Sequence, residues 1–157
     1  MFGPLAIYSQ DELNELHQKF MDTVISDMML DQAKALLKKH KDQGDYLLII
    51  TATNEFVTGP IAKYLGVDDL IASQCEKIDG KYTGKPCGIP SFQDGKITRL
   101  NEWLESNPMD LEGSYFYSDS HNDLPLLKMV SHPIVVDADE TLTQYAKQQD
   151  WDIISLR

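Results

Sequence analysis

The sequence predicts an α/β fold, a parallel sheet with helices on both faces, and three observations predict it. Short apolar runs at 47–50, 115–117 and 134–136 alternate with stretches of helical periodicity, the pattern of buried parallel strands joined by crossover helices. Two of these runs end in polar residues, Thr51 and Ser118-Asp119, and ligands in such sheets bind beyond the C-terminal strand ends. The 157 residues are 42% apolar and 25% charged, enough for one ordinary domain with its own core.

The elements follow in order. Met1-Phe2-Gly3-Pro4 reads as irregular. Ser9 with Glu12 makes a capping box, and Leu13, Leu16, Phe20 and Val24 continue at helical spacing. A second helix spans about 30–40 and stops near Gly44. The first strand covers 46–50 and ends in Thr51, before a helix that starts near Asn54 and closes at Gly66. Pro60 inside that helix calls for a kink or a late start. Residues 74–88 form a hairpin turning at Asp79-Gly80. In a two-residue hairpin Cys75 sits opposite Gly84, so Cys75 and Cys87 are expected as free thiols.

Ile97, Leu100 and Leu104 mark a helix that ends before Pro108. The strand at 115–117 leads into Ser118-Asp119-Ser120-His121-Asn122-Asp123 and a short helix. A strand at 134–136, a helix over 139–149 and a last strand at 153–156 complete the chain, with no internal repeat.

Composition excludes some functions. The net charge is -11, from 25 acidic and 14 basic side chains, a poor match to a phosphate backbone, so no nucleic-acid partner is expected. The longest purely apolar run, Leu47-Leu48-Ile49-Ile50, is far below the ~18–20 residues of a membrane span. No signal-peptide pattern opens the sequence, and a cytoplasmic protein is expected.

Three groups of residues carry candidate chemistry. Asp119 and Asp123 sit four apart at a strand end, where two carboxylates suit a hard cation such as Mg²⁺ and Asn122 can offer its amide to phosphate. The plain alternative is that Asp119 caps the helix and Asp123 is solvated in its first turn. The Thr51 hydroxyl and the backbone N–H groups after it, that of Ala52 first, can hold a phosphate oxygen, or Thr51 is an ordinary cap. Lys96 follows Gly95 at a helix start and can neutralise phosphate as a point charge, or it is simply an exposed lysine.

Strand-Thr51, then Gly95-Lys96, then strand-Ser118-Asp119-x-x-Asn122-Asp123, in that order, resembles the second, third and fourth motifs of the haloacid dehalogenase superfamily. The resemblance is to its phosphoserine-phosphatase-like branch, subfamily IB. It is carried by Ile49-Ile50-Thr51-Ala52-Thr53-Asn54 and by residues 115–127, and continues to Trp151, Ile153 and Leu156-Arg157. Pro4-Leu5-Ala6 and Phe20-Met21 resemble the end of that family's helical cap. The resemblance implies a Rossmann-like core over 29–157 and a cap remnant over 1–28. It implies a Mg²⁺-dependent phosphomonoesterase acting on a small phosphorylated metabolite, by way of an aspartyl-phosphate. Thr51 and Ala52 would bind the phosphoryl group with Asn122. Lys96 would steady the nucleophile and the phosphoryl charge. Asp119 would ligate Mg²⁺, with Asp123 beside it as a ligand or a support.

One departure matters. The family's first motif, Asp-x-Asp-x-Thr after an apolar strand, supplies the nucleophile, and nothing before Thr51 fits it: Asp11 and Asp22 lie in a helix and Asp45 precedes a strand. The expected fold therefore lacks the central first strand, and this chain alone is expected to be inactive or nearly so. Residues 134–141, Ile-Val-Val-Asp137-Ala-Asp139-Glu140-Thr, satisfy the pattern, which a circularly permuted site would use. They also fall where the family has its next strand, with Asp137 and Glu140 suiting a helix start. His121 lies in the metal loop, whose neighbours account for it; His17, His40 and His132 read as surface or partly packed residues. Two functions follow: an incomplete phosphatase whose nucleophile segment lies upstream or arrives in trans, a homodimer included, or a non-catalytic module that binds Mg²⁺ and phosphate or a protein.

Overall fold

A computed structural model describes residues 2–92 and 94–157. The chain forms two compact units that divide after Ser91, and each is described by itself.

The first unit opens on a 3-10 turn, Gly3–Ala6, with Pro4 in its first positions. Helix α1 (Gln10–Phe20) starts at the expected box: Ser9 accepts from the Glu12 backbone while Glu12 reaches back to Ser9. A π turn, Met21–Ile25, follows, then α2 (Ser26–Met28). The π turn holds an extra residue, and the buried face moves accordingly: Ile25 is buried, whereas Val24 is exposed. Leu13 is buried as expected, but His17 takes the inward position expected of Leu16. Helix α3 (Asp31–Gln43) ends on left-handed Gly44.

Strand β1 (Leu48–Asn54) runs three residues past Thr51, and α4 (Glu55–Leu65) is capped by the Asn54 side chain on the Val57 N–H. Pro60 lies inside α4, so the helix starts early and accommodates the proline. The hairpin is larger than expected. Strand β2 (Asp69–Ile78) starts five residues ahead of position 74 and β3 (Lys81–Cys87) returns. The turn is Asp79-Gly80, both at positive φ, as a tight hairpin requires. Strand β2 pairs in parallel with β1 through its first half and antiparallel with β3 through its second. This sheet is mixed, in the order β1-β2-β3. The register slips between Cys75 and Lys77, so Cys75 pairs with Pro86 instead of Gly84, and both cysteines are free.

The second unit holds α5 (Asp94–Ser106), β4 (Tyr115–Ser118), a 3-10 turn (His121–Asp123), α6 (Leu124–Leu127), β5 (His132–Val136), α7 (Glu140–Gln148) and β6 (Asp152–Ile154). Its sheet has the order β4-β5-β6 and is parallel throughout, as expected. Leu127, Val135, Leu142 and Ala146 are fully buried at its centre, with Phe116 and Trp151 packed against them. Among the described residues no helix is long and apolar enough to cross a membrane.

Candidate functional site

The second unit gathers the polar residues that follow β4. Ser118, the last strand residue, is buried. Its hydroxyl donates to Asp123 Oδ2 at 2.8 Å and accepts from the Ser120 N–H at 3.2 Å. Ser120 then caps the 3-10 turn by accepting from the Asn122 N–H at 3.3 Å. This chain of short-range bonds folds Asp123 inward, where it is 8% exposed.

Lys96 meets it there. The lysine is the third residue of α5, within its first turn, and its Nζ donates to Asp123 Oδ1 at 2.6 Å. Its side chain is only 12% exposed, so the exposed-lysine alternative fails, and so does a solvated Asp123. Lys96, Ser118 and Asp123 are thus brought together over 27 residues of chain. Both Asp123 oxygens have partners. Asp119, four residues earlier, is exposed, and its backbone carbonyl accepts from the Asp139 N–H at 3.2 Å.

A hard cation suits this donor set in part. Asp119 offers an exposed carboxylate, while Asp123 is buried with its charge balanced by Lys96. Among the described residues no three His, Cys, Asp and Glu side chains gather around one point, so the protein oxygens present would make an incomplete shell.

In the first unit Thr51 and Ala52 lie in a bulge. Between the pairs Ile50–Ile71 and Asn54–Ser73, β1 takes four steps to two of β2. The extra residues sit at the C-terminal end of the strand, a place where bulges recur beside active sites. The Thr51 hydroxyl accepts from the Thr53 N–H at 3.1 Å, and Asn54, not Thr51, caps the following helix. A groove of about 1060 Å³ opens elsewhere in this unit, lined by residues such as Asn14, Met21, Phe56, Lys63 and Tyr82 but by neither Thr51 nor Ala52.

Asp139 and His121 meet beside this loop, a contact that their spacing in the sequence does not announce. The Asp139 carboxylate accepts from the Leu142 N–H at 2.8 Å through Oδ1 and from the His121 N–H at 3.0 Å through Oδ2, which also lies 2.9 Å from His121 Nδ1. These contacts, the Leu142 N–H foremost and His121 next, hold its carboxyl down at about 2. Asp137 is engaged elsewhere: Ser155 Oγ donates to Oδ1 at 2.6 Å and the Leu156 N–H to Oδ2 at 3.0 Å. Both carboxylates of the Asp137-Ala138-Asp139 pattern therefore hold structure, and Asp139, not Asp137, caps α7. The signal for Asp139 was available, since an aspartate just before a periodic helix is a cap; the bond to His121 was not.

Residues 2–128 match the family described as haloacid dehalogenase-like hydrolase. The chain is 42% identical to the histidinol-phosphatase of Neisseria meningitidis serogroup C, over 99% of its own length and 72% of that protein's. It is 31% identical to a probable phosphatase of Mycobacterium tuberculosis, over 92% of its own length and 50% of that protein's. It is similar in structure to a protein with unknown function from Bordetella pertussis Tohama I, with a TM-score of 0.95, 43% identity, and coverage of 99% of this chain and 71% of that one.

Proposed function

Because the chain belongs to the haloacid dehalogenase-like hydrolase family, we propose that it carries the phosphate-binding and metal-binding residues of a phosphomonoester hydrolase acting on a small phosphorylated metabolite. The observation that carries this reading is Lys96 on Asp123, withdrawn from water and backed by Ser118. Desolvating such a pair contributes little stability by itself, so a binding site is the better account of it.

The roles follow from the chemistry of each group. Thr51 and Ala52 offer a hydroxyl and a backbone N–H to a phosphate oxygen, and Asn122 an amide. Lys96 supplies fixed positive charge where the phosphoryl group carries its negative charge. Asp119 would hold Mg²⁺, with Asp123 as a second ligand or as the support that Lys96 keeps in place. When bound, Mg²⁺ would neutralise phosphate oxygens and so ease attack on phosphorus. Within the family we assign the chain to the phosphoserine-phosphatase-like IB branch, with residues 1–28 as the end of a helical cap, 29–157 as the core, and a cytoplasmic location.

The nucleophile would come from an Asp-x-Asp-x-Thr segment outside residues 1–157, upstream in a longer product or on a second polypeptide, a second copy included. Two observations support a missing strand. Strands β1 and β4 each stand at an edge of their own sheet. Ile49, Ile50, Phe116 and Tyr117 on them are only half-buried. The second reading is a non-catalytic module that binds Mg²⁺ and phosphate or a protein partner; Asp11 and Asp22 stand on helical turns and Asp45 precedes β1, which is compatible with both readings.

An assay of a phosphomonoester panel decides between them, with histidinol phosphate and phosphoserine placed first because relatives carry those names. The 157-residue chain should show no more than a trace, since loss of a nucleophile from a cooperating site can cost roughly a million-fold. A chain lengthened by an apolar strand ending in Asp-x-Asp-x-Thr should turn over in Mg²⁺ and fail when Lys96→Ala is introduced. Robust turnover by the short chain would overturn the missing nucleophile. No turnover by the long one would overturn the hydrolase reading.

A further inference from the structure

The loop that carries Asp119 and Asp123 is tied at one end by Lys96 and at the other by a residue with no assigned role. Asp139 makes three contacts with the loop. Its N–H donates to the Asp119 carbonyl at 3.2 Å, and its Oδ2 takes both the His121 N–H, at 3.0 Å, and His121 Nδ1, at 2.9 Å. Its other oxygen, Oδ1, caps α7 through the Leu142 N–H at 2.8 Å. Helix α7 is a rigid anchor, because Leu142 and Ala146 are fully buried in the core of the unit. One side chain therefore joins a core-anchored helix to the loop, one oxygen for each.

We propose that Asp139 is a positioning residue that fixes the Asp119 loop, so that the Asp119 carboxylate is held ready for a divalent cation. The proposal rests on the phosphatase reading for the identity of the cation, but the clamp itself does not. The carbonyl of Asp119 is engaged by the Asp139 N–H, and Asp119 itself remains exposed to solvent. His121, one residue from either Ser120 or Asn122, is pinned by both its backbone and its ring. With the loop bound at 119 and 121 and buried at 123, little backbone freedom remains to be lost when a cation arrives.

The two oxygens allow the clamp to be separated from the cap. Asparagine caps helices about as well as aspartate, so Asp139→Asn keeps an oxygen for the Leu142 N–H. In the other position it puts an NH₂ group, which cannot accept from His121. Amide hydrogen exchange on the full 157-residue chain is the first readout. Asp139→Asn should leave exchange of the α7 amides unchanged and speed exchange at His121 about tenfold. His121→Ala, which spares the cap entirely, should weaken the loop to a lesser degree. Mg²⁺ affinity by calorimetry is the second readout, and Asp139→Asn should lower it about tenfold, the scale seen when the hydrogen-bond partners of metal ligands are removed. Unchanged exchange at His121 in Asp139→Asn would overturn the clamp, as would a loss spread evenly over α7 and the loop. If the wild-type chain binds no Mg²⁺, the metal assignment fails, while the exchange data still decide whether Asp139 holds the loop.

Discussion

Lys96 Nζ lies 2.6 Å from Asp123 Oδ1, with the two side chains 12% and 9% exposed. A pair this dry gains strongly from its Coulomb attraction and gives up much of that gain in desolvation, so its net contribution to stability is small. Removing one partner is another matter.

Lys96→Met should leave Asp123 buried and unpaired, at a cost of about 3–5 kcal/mol. Lys96→Met with Asp123→Asn should recover more than half of that loss, because Ser118 can still donate to the Asn oxygen. Urea denaturation of the two variants measures both numbers. A single-mutant loss below about 1 kcal/mol would mean that water reaches the pair, as it does for surface ion pairs.

The same constellation sets the expectation for metal. With Asp123 engaged by Lys96 and Ser118, Asp119 offers the one free carboxylate of the loop, and a lone carboxylate on a Mg²⁺ ion that prefers six oxygens binds weakly. Calorimetry on the 157-residue chain should give a dissociation constant above about 1 mM, and Asp119→Asn should abolish the signal. Tight binding that survives Asp119→Asn would place the cation elsewhere.

The C-terminal strand carries a pH dependence. Asp137 stands at φ 44°, a backbone region unfavourable for a non-glycine residue, and holds the segment after β6 through Ser155 and Leu156. The Ser155 hydroxyl first, and the Leu156 N–H next, keep its carboxyl below the ordinary value of 3.8. A carboxylate depressed in the folded state stabilises fully above its unfolded value and loses that contribution as pH falls through the folded one. Protection of the amides at 153–156 should therefore hold above pH 3.8 and drop below it, ahead of those in β5. Asp137→Asn should be under-protected already at neutral pH and lack the step. Identical profiles in both proteins would remove Asp137 from the account.

What the sequence made legible was local. The capping box at Ser9 and Glu12, the αL stops at Gly44 and Gly66, the Asp79-Gly80 turn and the strand-to-loop passage at Ser118 each rest on residues a few positions apart. The buried state of Lys96 was not legible, because its partner lies 27 residues away and nothing near Lys96 in the chain announces it. His17 is buried for the same reason: its ring meets the carbonyl of Val57, 40 residues on, at 2.9 Å and packs edge-on against Phe56. The early part of β2 was missed because Leu70-Ile71-Ala72 is too short an apolar run to stand out, and only its pairing with β1 makes it a strand. The exchange of Val24 for Ile25 shows the limit of a fixed helical period, since a single π turn resets it.

The slipped hairpin gives the last prediction. From the pair Lys77–Tyr82 to the pair Cys75–Pro86, β3 takes four steps to two of β2. Gly84 lies in that bulge at φ +80°. Its missing side chain also makes room for the N-terminal turn: a Cβ there would stand 3.2 Å from Ala6 Cβ and 3.7 Å from both Gly3 Cα and the Phe2 carbonyl oxygen. That turn carries Phe2 and Leu5, which with Leu13 form the buried cluster of the first unit. Gly84→Ala must therefore strain the backbone and push the turn away at once, and the expected loss is about 1–3 kcal/mol. Gly88 is the control. It also stands at positive φ, +66°, but with nothing within 4 Å of a built Cβ, so Gly88→Ala should cost the backbone strain alone, about 1 kcal/mol. Denaturant midpoints should place Gly84→Ala clearly below Gly88→Ala if the bulge and the turn are coupled in this way. A neutral Gly84→Ala would mean that the N-terminal turn yields freely, and Phe2 and Leu5 would then contribute little to the core they border.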